Sequence, residues 1–240
     1  MMKCYLPGKI TMTTEKSTIG ALEKGLLVLN CFTSSQLKLE LKDIAESTEL
    51  NKSTILRILA VMQDYHYIVR NDDGTYSVGI LPSRLGARYN ALFESSEQIE
   101  AVVRRISESI NESVAYYVDE GDDRLCIYAR NSNRVIQHRF LIGDRIPLSE
   151  GGSASHILRY YLGKKTTKAE DIRQKGYCVT AGERESEQTS ISVPVFGTNG
   201  KLEGAIVVAG VISRLSEERM ADIYQLICAE MIRGGLHTQA

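Results

Sequence analysis

The chain has 240 residues, 43% hydrophobic and 25% charged, with a formal net charge of −1. This is the composition of an ordinary soluble protein with room for one large domain or two smaller ones, and it excludes a polycationic nucleic-acid coat. No apolar run approaches the roughly 20 residues of a membrane-spanning helix, the N-terminal stretch lacks a signal-peptide core, and the five scattered cysteines form no CxxC, so a reduced, cytoplasmic location is expected.

Residues 1–18 are polar and unpatterned and are read as a disordered tail, with Met12 as an alternative translation start. Ile19 to Phe32 is predicted as an amphipathic helix with Leu22, Leu26, Leu29 and Phe32 on one face, followed by a short strand at Leu37–Leu39. The segment LKDIAESTELNKSTILRILAVMQD, from Leu41 to Asp64, reads as two short helices joined by a tight turn. In the second of them Ile55, Ile58, Leu59 and Met62 recur at i, i+3, i+4 and i+7, a buried stripe at helical period. At about 100° per residue, Ser53, Arg57 and Ala60 point away from that stripe, with Lys52 and Thr54 on the leading turn. Such a slim, polar, basic face suits a helix entering a DNA major groove: hydroxyls and a lysine for phosphates, an arginine for a base edge. YHYIVRNDDGTYSVG then reads as a hairpin about an Asp-Asp-Gly turn. The order helix, strand, helix, helix, hairpin is that of a winged helix-turn-helix, and Arg70 in the wing joins Lys52, Ser53, Thr54 and Arg57 as a candidate DNA contact.

Charge qualifies this reading. From Gly20 to Ile80 there are six bases against eight acids, whereas Leu50 to Gln63 holds two bases and no acid. The local sign suits DNA; the overall sign predicts weak non-specific binding and reliance on oligomerisation.

From Pro82 to Ser95 the pattern Leu85, Tyr89, Leu92 suggests a linker helix, and Glu97–Ile110 is a further helix burying Ile99, Val102, Val103, Ile106 and Ile110. The periodicity then changes. SVAYYVD and RLCIYARN are predicted strands about Glu-Gly-Asp-Asp, and VIQHRFLIG is expected to continue the sheet. SASHILRYYLG and KAEDIRQKG read as helices, the latter stopped by Gly176. YCVTAG, TSISVPVF and GAIVVAG read as strands, and Ser216 caps a last helix burying Met220, Ile223, Ile227 and Met231. The expected fold class is α+β: a winged helix-turn-helix over 19–80, a linker helix over 81–96 and an α/β domain with a largely antiparallel sheet over 97–240.

These blocks, in this order, resemble the isocitrate-lyase-regulator (IclR) family of bacterial transcription factors. The resemblance runs from about Gly20 to Arg233 and is carried by ALEKGLLVLNCF, LKDIAESTELNKSTILRIL, DGTYSVG, GDRIPLSEGGSASHIL, KGYCVTAGERESEQTSISVPVF and GAIVVAGVISRLSEE. It implies a DNA-binding regulator, most simply a repressor, whose GAF-like C-terminal domain binds a small metabolite. It also implies a homodimer or dimer of dimers on palindromic double-stranded operator DNA. The chain departs from the family pattern at Glu49 and His66, where glycine is usual, and at Glu40, where a Ser/Thr cap is usual. A left-handed residue other than glycine costs on the order of 1 kcal/mol, so strain is expected at the turn carrying Glu49.

The resemblance places the loop Gly151, Gly152, Ser153 and Ala154 over the ligand. Two glycines opening a helix leave backbone N–H groups pointing at one spot with the positive helix end behind them, which suits a carboxylate; a glycine turn without a ligand is the alternative. By the same matching, Thr180 and Ser190 fall at polar ligand positions, and Val207 and Ala209 fall where some members carry hydroxyls. The apolar character of that wall predicts a small organic acid with an apolar or aldehyde-like end.

An enzyme is the rival class. Ser153 and His156, at i and i+3, could be read as nucleophile and base, but no GxSxG elbow occurs and no carboxylate is identifiable as orienting His156. There is no HExxH, zinc-type cluster, phosphate loop or GxGxxG, so no catalytic residue, metal or cofactor is assigned. A sensor whose winged helix binds protein is the remaining alternative, and a DNA footprint with palindromic spacing separates it from a regulator.

Overall fold

Helix α1 (Gly20–Asn30) begins the first of two units, which divide at Phe93/Glu94 in the computed structural model. Residues 20–33, 36–90 and 96–238 are described; the tail 1–18, Ile19 and Leu92 lie outside them. Gly25 and Val28 are the buried residues of α1, whereas Leu22 and Leu26 are 59% and 52% exposed. The expected Leu22/Leu26 face is therefore corrected. The inward face is turned roughly a fifth of a turn from it, because α1 crosses its neighbour at Gly25, where an added Cβ would lie 3.3 Å from the Met62 side chain.

Helices α2 (Leu41–Thr48) and α3 (Lys52–Asp64) form the helix pair. The Asp43 carboxylate accepts the Glu40 N–H at 2.8 Å, so α2 has an N-terminal bond without a Ser/Thr cap. Asn51 caps α3, its side-chain oxygen accepting from Thr54 N and Ser53 Oγ, each at 2.9 Å. Between the helices Glu49 has φ 57°, and after α3 His66 has φ 60°. Both departures from glycine thus sit in left-handed backbone, at a cost of about 1 kcal/mol each.

Ile55 and Leu59 are buried and Ile58 and Met62 partly buried against Val28, Leu39, Ile44, Ile68 and Tyr76. Strand β1 (Lys38–Leu39) pairs antiparallel with β3 (Tyr76–Val78), which pairs with β2 (Ile68–Arg70), giving the order β1-β3-β2. The turn between β2 and β3 is held by Asp73, whose carboxylate accepts Thr75 N at 3.0 Å and meets Lys38 Nζ at 3.1 Å. Hydrogen bonds from Thr75, and then from Lys38, pull this carboxyl down to about 2. Helix α4 (Leu81–Asn90) follows.

The second unit is built on one sheet, every pairing antiparallel, in the order β6-β5-β4-β9-β8-β7. Its strands are β4 (Ser113–Glu120), β5 (Asp123–Arg130), β6 (Arg145–Pro147), β7 (Cys178–Ala181), β8 (Gln188–Phe196) and β9 (Leu202–Val211). Period-two alternation sends Val114, Tyr116, Ile191, Val193, Ile206 and Val208 into one core with helices α5 (Ser96–Ile110) and α8 (Glu217–Arg233). Ala115, Tyr117, Ala205, Val207 and Ala209 face the other way, under α6 (Ser153–Tyr161) and α7 (Ala169–Lys175). The alanines on that second face leave space beneath α6, and this is where the cleft described below lies.

VIQHRFLIG does not continue the sheet; β6 at Arg145–Pro147 takes the edge instead. The residues from Asn131 to Phe140 loop out because Asn131 pairs with both backbone groups of Phe140, at 2.8 and 2.9 Å, and Ser113 Oγ donates to His138 O. Side chains there satisfy the backbone that a ladder would otherwise pair. Among the described residues no helix is long and apolar enough to cross a membrane.

Candidate functional site

In the first unit the outward side of α3 exposes Lys52, Ser53, Arg57 and Ala60, with Thr54 half-buried at the first turn. Leu56 and Val61 are also exposed, at 46% and 56%, and the sequence reading had not placed them on this side. Arg70 is exposed on the wing, its guanidinium 5.9 Å from the Tyr76 ring centroid, which holds it near β3. Among the described residues Lys52, Arg57 and Arg70 have no ion-pair partner, so three cations stand open to solvent around a slim helix face.

In the second unit a cleft lies between α6 and the alanine-lined face of the sheet. Gly152, Ser153, Ala154, Thr180, Ser190, Val207 and Ala209 line it, whereas Gly151 is not among its walls. Gly151 and Gly152 have φ 75° and 85°, conformations that only glycine adopts freely, and they turn the chain sharply into α6. The Ser153 hydroxyl lies 2.8 Å from both Ser190 Oγ and Ser192 Oγ, and Ser190 Oγ lies 3.1 Å from Thr180 Oγ1. The predicted polar contacts therefore form one connected run of hydroxyls along the cleft.

Sequence reasoning missed Tyr117, Arg124, His138, Phe140, Glu183 and Arg184, which also line it. Glu183 changes the expected chemistry. Its carboxylate accepts the Gly152 N–H at 2.9 Å and meets His156 Nε2 at 2.9 Å. Burial alone would push this carboxyl up, but its bonds to Gly152 and His156 outweigh burial and hold it below the ordinary glutamate range. The helix N-terminus expected to receive a ligand carboxylate is thus occupied by the protein's own. Glu183 is also the carboxylate beside His156 that the sequence did not reveal. Yet the Ser153 hydroxyl turns to serines, and His156 Nδ1 lies 2.6 Å from Thr166 Oγ1, so the two residues do not form a nucleophile–base pair. Among the described residues no group of three His, Cys, Asp or Glu side chains is placed to hold a metal ion.

Arg184 reaches across the mouth, meeting Glu150 at 3.5 Å. The free space left inside is about 30 Å³, enough for a water or two. His138, half-buried on the wall, is pushed down to about 4 by burial and then by the charges of Arg184 and Arg124. Its folded value lies below the unfolded value of 6.5, so its contribution to stability is complete above pH ~6.5 and is lost as pH falls toward 4. Urea melts should show His138→Gln losing less stability than the parent between pH 7 and 4.5, by on the order of 2 kcal/mol. Equal losses would assign the acid sensitivity to other groups.

Residues 21–72 match the family description "IclR helix-turn-helix domain", and residues 166–232 match "Bacterial transcriptional regulator IclR C-terminal". The Pca regulon regulatory protein of Pseudomonas putida is 25% identical, across 87% of this chain and 80% of that protein. The HTH-type transcriptional repressor AllR of Escherichia coli K12 is 22% identical, across 92% and 90%. The fold is that of Thermotoga maritima IclR (TM-score 0.70, 18% identity, 88% of this chain and 96% of that one). It is also that of an IclR homologue from Microbacterium hydrocarbonoxydans crystallised with 4-hydroxybenzoate (TM-score 0.73, 18% identity, 88% and 97%). With a helix-turn-helix matched in one unit and an effector domain in the other, the chain belongs to the IclR family of DNA-binding transcriptional regulators, a family of regulators and not of enzymes.

Proposed function

We propose that the protein is a cytoplasmic repressor that binds a palindromic operator as a dimer or dimer of dimers and changes its hold on DNA when a small organic acid enters the cleft beneath α6. The observation that carries this reading is the pairing of an open cationic face on α3 with a separate, hydroxyl-lined cleft bordered by two arginines. The division of labour follows the chain: 19–80 for DNA, 81–96 as linker and 97–240 for the effector. Lys52, Ser53, Thr54 and Arg70 hold phosphates and orient α3, and Arg57 reads a base edge. Repression is supported by AllR, which is named a repressor, and an acidic effector by the 4-hydroxybenzoate in the Microbacterium structure.

Selection from randomised duplex DNA tests this reading. The protein should enrich a two-fold-symmetric sequence with half-sites about one helical turn apart, or a multiple of that. Its affinity for that sequence should change when an effector acid is added, since ligand and DNA must influence each other reciprocally if they are coupled. Enrichment of no sequence would favour a winged helix used for protein contact.

A further inference from the structure

Helix α3 presents two apolar side chains to solvent, Leu56 and Val61. Neither packs into the core of the first unit, where Ile55, Ile58, Leu59 and Met62 hold this helix. At about 100° per residue the two stand on opposite edges of the outward face formed by Ser53, Arg57 and Ala60. Their settings differ. Leu56 lies in the N-terminal half of α3, next to Arg57 and one turn from Lys52, within the run from Leu50 to Gln63 that holds two bases and no acid. Val61 lies in the C-terminal half, one turn from the exposed Asp64, whose carboxylate repels phosphates. The N-terminal half is therefore the part of the helix that comes closest to DNA, and Leu56 goes with it.

Ser53 and Ala60, three residues before and four after Leu56, are its neighbours on the helix surface. Both are small, so the Leu56 side chain stands above them and reaches past them. It has no donor and no acceptor to offer. A base edge beneath it that needs a hydrogen bond would lose water and gain nothing in exchange. In the major groove one base feature is apolar, the C5-methyl of thymine.

We infer that Leu56 is a specificity-determining residue of α3 and packs on a thymine methyl within about two base pairs of the base that Arg57 reads. The helix advances about 1.5 Å per residue against about 3.4 Å per base pair, which keeps the two targets close. The inference rests on reading α3 as the helix that enters the major groove. It adds a residue and a base feature that neither the cationic face nor the family match assigns.

Deoxyuridine in place of thymidine removes that methyl and leaves every hydrogen bond, so a uracil scan of the selected operator tests the inference by gel shift. For the parent, one thymine in each half-site should weaken binding by about fourfold when replaced, the weight of one buried methyl, and by about 15-fold when both halves are replaced. Leu56→Ala should bind the thymine operator at least that much more weakly and bind the thymine and uracil versions alike. Its melting temperature should equal the parent's, because the side chain lies off the core; a leucine kept for packing would lower it. Val61→Ala should retain the parent's methyl preference. The inference is overturned by an operator without thymine near the Arg57 base, by a parent indifferent to every methyl, by a Leu56→Ala protein that keeps the preference, or by a preference that vanishes in Val61→Ala. The reading of α3 is tested separately: parental operator affinity in Arg57→Ala sinks the reading helix and this inference with it, whereas a strong Arg57 effect with a flat methyl scan sinks the assignment of Leu56 alone.

Discussion

Replacing Arg57 with alanine is expected to cost about 1–3 kcal/mol per half-site, and so about 2–6 kcal/mol for a dimer spanning both halves of a palindrome. Arg57 is exposed on the outer side of α3 and has no ion-pair partner among the described residues, so its five donors are free for a base edge. The loss should be specific. Arg57→Ala should still bind non-cognate duplex much as the parent does, and its preference should relax at one base position in each half. Lys52→Ala should behave differently, weakening binding to every sequence and reducing the salt dependence by about one counterion per subunit. Gel shifts at fixed salt on the selected operator and its single-base variants distinguish the two. An Arg57→Ala protein with parental operator affinity would remove α3 as the reading helix.

The second large effect is expected at Gly152. Its φ of 85° with ψ of 154° belongs to backbone that side-chain-bearing residues almost never adopt, and forcing one there costs about 1–3 kcal/mol. A Cβ would also stand 3.2 Å from Arg184 Cδ and 3.6 Å from Arg124 Nη2. Gly152→Val should therefore displace both arginines, disturb the Glu183 bond to the Gly152 N–H, lower the melting temperature and abolish the proposed response of operator binding to an effector acid. DNA binding in the absence of ligand should persist, because α3 belongs to the other unit. Gly163 supplies the control. It too has positive φ, at 72°, but an added Cβ there meets nothing within 4 Å, so Gly163→Ala should cost about 1 kcal/mol in stability and keep the ligand. Unchanged ligand affinity in Gly152→Val would move the site out of this cleft.

The hydroxyl run shows where local reasoning reaches and where it stops. Ser153, Thr180 and Ser190 were legible as one cluster only through the resemblance, since 37 residues separate Ser153 from Ser190. Pairing of β7 with β8 places Thr180 opposite Ser190, and the docking of α6 brings Ser153 onto them. Arg124 left a faint local signal, a charge two residues before Cys126 on the inward phase of β5. Glu183 left none: its role depends on a turn that brings it back to the first peptide of α6.

The sequence by itself determined the elements whose information is local. The i, i+3, i+4 spacing of Ile55, Ile58, Leu59 and Met62 specifies α3 and thereby its outward face, because helix geometry alone sets which side chains point away. The Asp-Asp-Gly turn specifies the wing, and the Met220, Ile223, Ile227, Met231 stripe specifies α8. The family resemblance, not the residues themselves, pointed to a left-handed turn at Glu49, and the structure shows one there and a second at His66. Only the tertiary structure decided the rest. Leu22 and Leu26 have a helical spacing that does not say which side meets α3, and the close crossing at Gly25 chose the other side. VIQHRFLIG has strand-like composition, but Asn131 just before it and Ser113 on the more distant β4 bond its backbone instead. The anion-binding end of α6 is an intrinsic property of a helix start, yet whether a ligand or Glu183 fills it depends on which carboxylate the fold brings within 3 Å. Periodicity encodes a residue's own direction; the partner it meets there is set by chain far away in sequence, through sheet register and helix docking.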